Sequence, residues 1–189
     1  MSAAAAPAEV IAALFEGPGA RDYFGEDVSV AAHMLLAGGL AQAAAASDPL
    51  IAAALLHDVG HLDLGVAGGL GGADLMAGRD NRHSDTGAAW LAQWFGPEVT
   101  EPVRLHVPAK RYLCATEPGY AATLSQASAY TLTVQGGLMS PAEITAFEAE
   151  PFARDAVAVR RWDDEAKDPE VTPPEFSHFE PLLGILARA

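Results

Sequence analysis

Apolar residues along the chain recur at helical rather than strand spacing, and prolines, glycines and capping residues cut that pattern into segments. Pro7 opens a first stretch, Pro-Ala-Glu-Val-Ile-Ala-Ala-Leu-Phe-Glu, which Gly17-Pro18-Gly19 ends. A loop with Tyr23 and Glu26 follows, and Ser29 caps a long Ala-rich helix to about Ala46. Asp48-Pro49 caps the next helix, which is apolar from Leu50 to Leu56 and therefore central. It closes on His57-Asp58, and Gly60 breaks it. Residues 65–72 form a glycine-rich loop that lacks the Gly-Lys-Ser/Thr ending of a phosphate-binding loop. Asp80 caps a helix through Phe95 that carries His83, with Ala88, Leu91, Ala92 and Phe95 as its apolar stripe. Pro97 opens another that delivers His106. Further helical stretches cover about 121–134, 141–149, 152–166 and 175–187, and Ser140-Pro141-x-Glu143 is a capping-box pattern. There is no repeat and no alternating β-branched run. The pattern predicts an all-α bundle, one domain over residues 1–189, with residues 1–6 disordered.

Composition narrows the chemistry. No apolar stretch of the length a membrane span needs runs without a charge or a helix breaker. The Ala-rich start lacks the basic opening of a signal peptide, so a cytoplasmic location is expected. The single cysteine, Cys114, cannot pair internally or build a thiolate site, which leaves any metal to histidines and carboxylates. A net charge of −14 argues against a nucleic-acid partner. A small anionic substrate fits if one cleft gathers positive charge. No feature points to a protein partner.

Four histidines and two aspartates carry the candidate chemistry: His33, His57, Asp58, His83, His106 and Asp163. A His-Asp pair closing a buried apolar helix has to be paired or to bind something, because unpaired burial costs several kilocalories. Imidazole with carboxylate, and no sulfur, suits iron, manganese, cobalt or zinc. Four histidines exceed what one open catalytic ion uses beside two aspartates, so two ions sharing a carboxylate is the natural division. His178, near the C-terminus, has no place in the set and reads as a surface residue, while Trp90 and Trp94, four apart on one helix face, read as core.

The order His33, His57-Asp58, Asp163 resembles the HD superfamily, whose simplest members hold one metal and hydrolyse phosphate esters. His83 and His106 resemble the insertion that makes the site dinuclear. Within that group the chain is similar from Tyr23 to Lys167 to the 2-amino-1-hydroxyethylphosphonate dioxygenases, mixed-valent di-iron enzymes related to myo-inositol oxygenase. The resemblance implies an HD-domain bundle holding two irons, Fe(II) and Fe(III), and using O₂ to cleave the C–P bond of a 1-hydroxy-2-(amino or trimethylammonio)ethylphosphonate. The products would be phosphate and glycine or glycine betaine.

By the same resemblance His33, His57, Asp58 and Asp163 hold one iron, and Asp58 bridges to a second held by His83 and His106. Asp164 stands beside Asp163 as an alternative, and Arg161 beside Arg160. His61 reaches the substrate, while Lys110, Ser128 and Arg160 hold the phosphonate. Charge alone supports that trio, since an ammonium, a hydroxyl and a guanidinium suit a PO₃ dianion. Tyr23 and Glu26 belong to a gating loop over residues 17–27, where the Tyr occupies the vacant iron position until substrate arrives and the Glu meets the amino end. Tyr23, Phe24, Tyr112 and Tyr130 are the aromatic faces available to a trimethylammonium group. An HD phosphohydrolase of a nucleotide or phosphate monoester uses the same ligands but leaves Tyr23 and Glu26 without a role. A non-catalytic sensor domain would have shed ligands.

Overall fold

The computed structural model describes residues 6–65 and 75–188. The disorder expected at the N-terminus and the loop expected at 65–72 therefore fall, apart from Ala6 and Gly65, outside the described residues. Every long element among the described residues is an α-helix: α1 Pro7–Glu16, α2 Val30–Ala43, α3 Asp48–Leu56, α4 His83–Leu91, α5 Pro97–Thr116, α6 Gln126–Val134, α7 Pro141–Glu148, α8 Ala153–Glu165 and α9 Glu180–Leu186. Short 3₁₀ turns lie at Pro18–Arg21, Val59–His61, Tyr120–Ala122 and Phe176–His178. The all-α reading stands. Among the described residues no helix is long and apolar enough to cross a membrane.

Local chemistry sets the helix ends, in places differently from the sequence pattern. Ser29 caps α2 by accepting from the Ala32 N–H at 3.3 Å. That helix stops at Ala43 instead of Ala46, where the chain turns through Ala45 at φ +53°. Asp80 caps a turn and not a helix, its carboxylate accepting from the Arg82 N–H at 3.0 Å. Arg82 is left-handed at φ +48°, so α4 starts only at His83, and it ends at Leu91. The stretch expected from 121 begins at Gln126, because Ser125 caps α6 by accepting from the Ser128 N–H at 3.0 Å. The last stretch divides into a 3₁₀ turn and the short α9. The Ser140–Glu143 capping box is formed, with the Glu143 carboxylate accepting from the Ser140 N–H at 2.8 Å.

The core is built on α3, whose residues Ile51 to Leu56 are all buried. Helices α2, α5 and α8 wrap it, and α5 also packs along α8. A Cβ on Gly38 would come within 3.2 Å of Leu55 and of Phe179, so a glycine in α2 lets that helix lie close on α3 and on the residue that precedes α9. Trp90 and Trp94 meet edge to face at 4.8 Å and are only partly buried, at the margin of the core. His178 is exposed and 2.7 Å from the Gln42 side chain. The three wrapping helices bring His33, His106 and Asp163 to the C-terminal end of α3, where His83 of α4 joins them.

Candidate metal centre

Asp58 follows α3 directly and divides its two oxygens between two pairs of imidazoles. Its Oδ2 lies 3.7 Å from His33 Nε2 and 3.6 Å from His57 Nε2. Its Oδ1 lies 3.3 Å from His83 Nε2 and 3.4 Å from His106 Nε2. Asp163, from α8, joins the first pair with Oδ1 3.3 Å from His33 Nε2 and Oδ2 3.9 Å from His57 Nε2. The structure thus gathers all six expected metal ligands around one carboxylate. Glycine makes the approach of α4 possible: a Cβ on Gly60 would fall on the His83 carbonyl, and one on Gly87 would come within 3.0 Å of Gly60 N.

Each ring is oriented by its outer nitrogen. His57 Nδ1 donates to the Ala54 carbonyl at 2.8 Å, in the last turn of α3, where carbonyls run out of helical donors. His33 Nδ1 donates to Ala166 O at 3.0 Å, just past the end of α8. His106 Nδ1 donates to Val103 O at 2.7 Å, and His83 Nδ1 donates to Asn81 Oδ1 at 3.0 Å. A carbonyl only accepts, so each Nδ1 carries the hydrogen and each Nε2 is left with a lone pair turned inward.

Those lone pairs face one another, His33 against His57 at 3.1 Å and His83 against His106 at 3.2 Å. Two bare acceptors repel at that distance unless an electrophile joins them. Ligands at right angles about an ion, each about 2.1 Å away, stand about 3.0 Å apart, so the spacing fits a shared metal. Charge agrees. Burial opposes ionisation of Asp58, but the neighbouring histidines hold it well below the usual carboxylate range. Asp163 is likewise held low, against burial, by Arg160 and Lys167. Burial drives His57 down to about 4, whereas at His33 burial is outweighed by the adjacent Asp163 and Asp58 carboxylates and the pKa is raised. A buried carboxylate, a half-buried one and inward lone pairs make a site that takes up cations.

A pocket opens beside this cluster. Tyr23, Phe24, Glu26, Lys110, Ser128, Thr131, Gln135, Arg160 and Lys167 line it, together with Leu75, Met76 and Val107. Tyr23 to Glu26 form a tight turn, the Glu26 N–H donating to Tyr23 O at 2.7 Å, with Phe24 at φ +34° and Gly25 at φ +85°. Phe24 packs on His61, and Tyr23 is 57% exposed at the pocket mouth. The Glu26 carboxylate accepts from Ser125 Oγ at 2.6 Å and from Lys167 Nζ at 2.9 Å. His61 stacks on His83 at 4.0 Å, its Nε2 3.9 Å from Asp58 Oδ1.

Lys110 is 2% exposed and donates to Thr131 Oγ1 at 2.9 Å; burial, with Arg160 nearby, pushes its pKa down to about 7. Arg160 is 3% exposed and clamped by Asp163 at 2.6 Å, by Asp164 and by the Tyr120 hydroxyl at 3.1 Å. This separates the adjacent alternatives: Asp163 faces the histidines while Asp164 holds Arg160, and Arg161 pairs with Glu117 on the surface. Tyr112 donates to Glu148 and Tyr130 to Met76 O, and neither lines the pocket, so Tyr23 and Phe24 supply its aromatic faces.

The chain is 38% identical over 175 residues, 93% of its length and 87% of the relative's, to the [1-hydroxy-2-(trimethylamino)ethyl]phosphonate dioxygenase (glycine-betaine-forming) of Leisingera caerulea. It is 40% identical over 181 residues, 95% of its length and 89% of the relative's, to the hydroxymethylphosphonate dioxygenase of Gimesia maris. It belongs to the phosphonate dioxygenase family. No family model matches the chain.

For a phosphonate dioxygenase the pocket holds more polar groups than the sequence reading assigned. Thr131 and Gln135 share a face of α6 with Ser128, an i, i+3, i+7 spacing that could have been read as a polar stripe. Lys167 sits one helical turn after Asp163 and donates to Ser128 Oγ at 2.8 Å. Asn81, two residues before His83, had no sequence signal.

Proposed function

We propose that this phosphonate dioxygenase uses O₂ to cleave the C–P bond of a 1-hydroxy-2-(amino or trimethylammonio)ethylphosphonate, releasing phosphate and glycine or glycine betaine. His33, His57, Asp58 and Asp163 would hold one iron, and His83, His106 and the second Asp58 oxygen the other. The observation that carries this reading is the division of the Asp58 oxygens between two pairs of inward-facing imidazoles. When bound, a mixed-valent iron pair supplies O₂ activation and oxidation at C1.

The chain's own residues bind and orient. Lys110, with one hydroxyl partner and two further hydrogens, is placed to meet a phosphonate oxygen. Ser128 and Arg160 stand beside it, 3.5 Å apart. Gln135 brings a buried amide oxygen with no partner among the described residues, a group suited to a substrate hydroxyl. Asp163 and Asp164 fix the Arg160 guanidinium, so positive charge stays in place before substrate arrives. The Tyr23–Glu26 turn, with two left-handed residues, acts as the gate, and Glu26 meets the amino end.

One observation favours a second reading of the substrate. Lys167 already neutralises Glu26, which suits hydroxymethylphosphonate, with no amine to bind. The experiment is phosphate release by the iron-loaded chain, with and without O₂. The substrates are the two amino phosphonates, hydroxymethylphosphonate and a phosphate monoester. Release from a phosphonate that stops without O₂ is expected. Oxygen-independent release from the ester alone would make the chain a hydrolase.

A further inference from the structure

We infer that Asn81 is a positioning residue that gives the stacked rings His61 and His83 opposite tautomers, making His83 a metal ligand and His61 a hydrogen donor. The inference rests on the di-iron reading of the site for its consequence, though not for its geometry.

Asn81 is buried at 5% exposure, and its amide reaches the Nδ1 atoms of both rings. The orientation of its amide is fixed by a group with no tautomer: the backbone N–H of His83 approaches Oδ1 at 3.3 Å and can only donate. Turning the amide over would set NH₂ against N–H. Since that oxygen accepts, His83 Nδ1, 3.0 Å from it, donates as well. His83 therefore presents an unprotonated Nε2, 3.3 Å from Asp58 Oδ1. The amide nitrogen lies 3.1 Å from His61 Nδ1 and can only donate there, so His61 accepts at Nδ1 and carries its hydrogen on Nε2.

By distance alone the two rings are hard to tell apart. They stack at 4.0 Å and 21°, and Asp58, His61 and His83 offer ligand atoms within 4.8 Å of one another. A bare His61 Nε2 would be a third imidazole donor at the His83–His106 ion and would close a position that substrate or O₂ needs. With hydrogen on Nε2, His61 cannot ligate there. It keeps that position open and offers an N–H to whatever occupies it.

The test is long-range ¹H–¹⁵N correlation of ¹⁵N-histidine in the full chain, metal-free and zinc-loaded, with His61→Ala assigning the signals. Hydrogen on His61 Nε2 and on His83 Nδ1 is expected in the wild type. Asn81→Asp accepts from both rings and so moves the His61 hydrogen to Nδ1. In the iron-loaded enzyme kcat should then fall at least about tenfold, with KM within about twofold. Hydrogen on Nδ1 of His61 in the wild type overturns the inference, a readout that needs no variant to fold. An Asn81→Asp protein with unchanged His61 tautomer and kcat also overturns it. If the tautomers are as inferred but no phosphonate is cleaved with O₂, the reading of the reaction fails and the role of Asn81 in setting the tautomers stands.

Discussion

Gly60 and His83 touch backbone to backbone: the space where a side chain on Gly60 would begin is filled by the His83 carbonyl. This contact sets the distance between the turn that carries Asp58 and His61 and the helix that begins at His83. Gly60→Ala must push the two apart. Overpacking of this kind costs about 1–3 kcal/mol. The variant should unfold at lower temperature and, under the proposed two-iron reading, lose the His83–His106 ion before the other, as metal analysis during stepwise chelation will show.

Lys110 is the group on which anion binding should depend most. A charge-assisted hydrogen bond of about 1.5–3 kcal/mol corresponds to roughly a 10- to 100-fold rise in KM for Lys110→Met, with a smaller effect on kcat. An unchanged KM would mean that Lys110 does not touch the phosphonate.

The same residue sets a pH dependence. Burial holds its pKa down to about 7, so below that pH the free protein already carries the ammonium. Above it, binding an anion must draw a proton onto Lys110, and KM should rise by up to about tenfold per pH unit. The unfolded chain binds that proton more tightly. The stability contributed here therefore increases as pH climbs from about 7 toward the ordinary lysine value of about 10.4. Lys110→Met should remove both effects, read by KM and by unfolding across that range.

Gln135 offers a trade between stability and binding. Its buried amide oxygen has no partner among the described residues, which costs about 1–3 kcal/mol. Gln135→Leu should leave the protein as stable or more so, while KM for the phosphonate rises. A variant that loses stability would show that the amide is satisfied within the fold.

Much of this site was legible because the lack of cysteine pairs left metal to histidines and carboxylates, and the HD resemblance singled out six of them, which the structure brings together. The central helix was legible from its unbroken apolar run, Leu50 to Leu56. What the sequence concealed depends on backbone turns and on pairing across the fold. The left-handed Arg82 caps α4 in place of Asp80, so the helix starts two residues later than Asp80 suggests. Asp163 and Asp164 both hold Arg160, and only Asp163 also meets His33, a difference set by their sides of α8. Lys167 reaches Glu26 across 141 residues of chain, and no local pattern announces such a pair.

In the proposed function that pair meets the substrate's far end. Glu26→Ala should raise KM for an amino or trimethylammonio phosphonate while leaving hydroxymethylphosphonate nearly unaffected. Equal effects on all three would assign Glu26 to holding Lys167 and the gating turn.

The measurement that bears most directly on the Asp58-centred site is iron content after anaerobic reconstitution of the wild type, His83→Ala and Asp58→Ala. Two ions per chain, one and fewer than one respectively are predicted, with all three proteins folded by circular dichroism. A single ion in the wild type, retained in His83→Ala, would contradict the two-ion site.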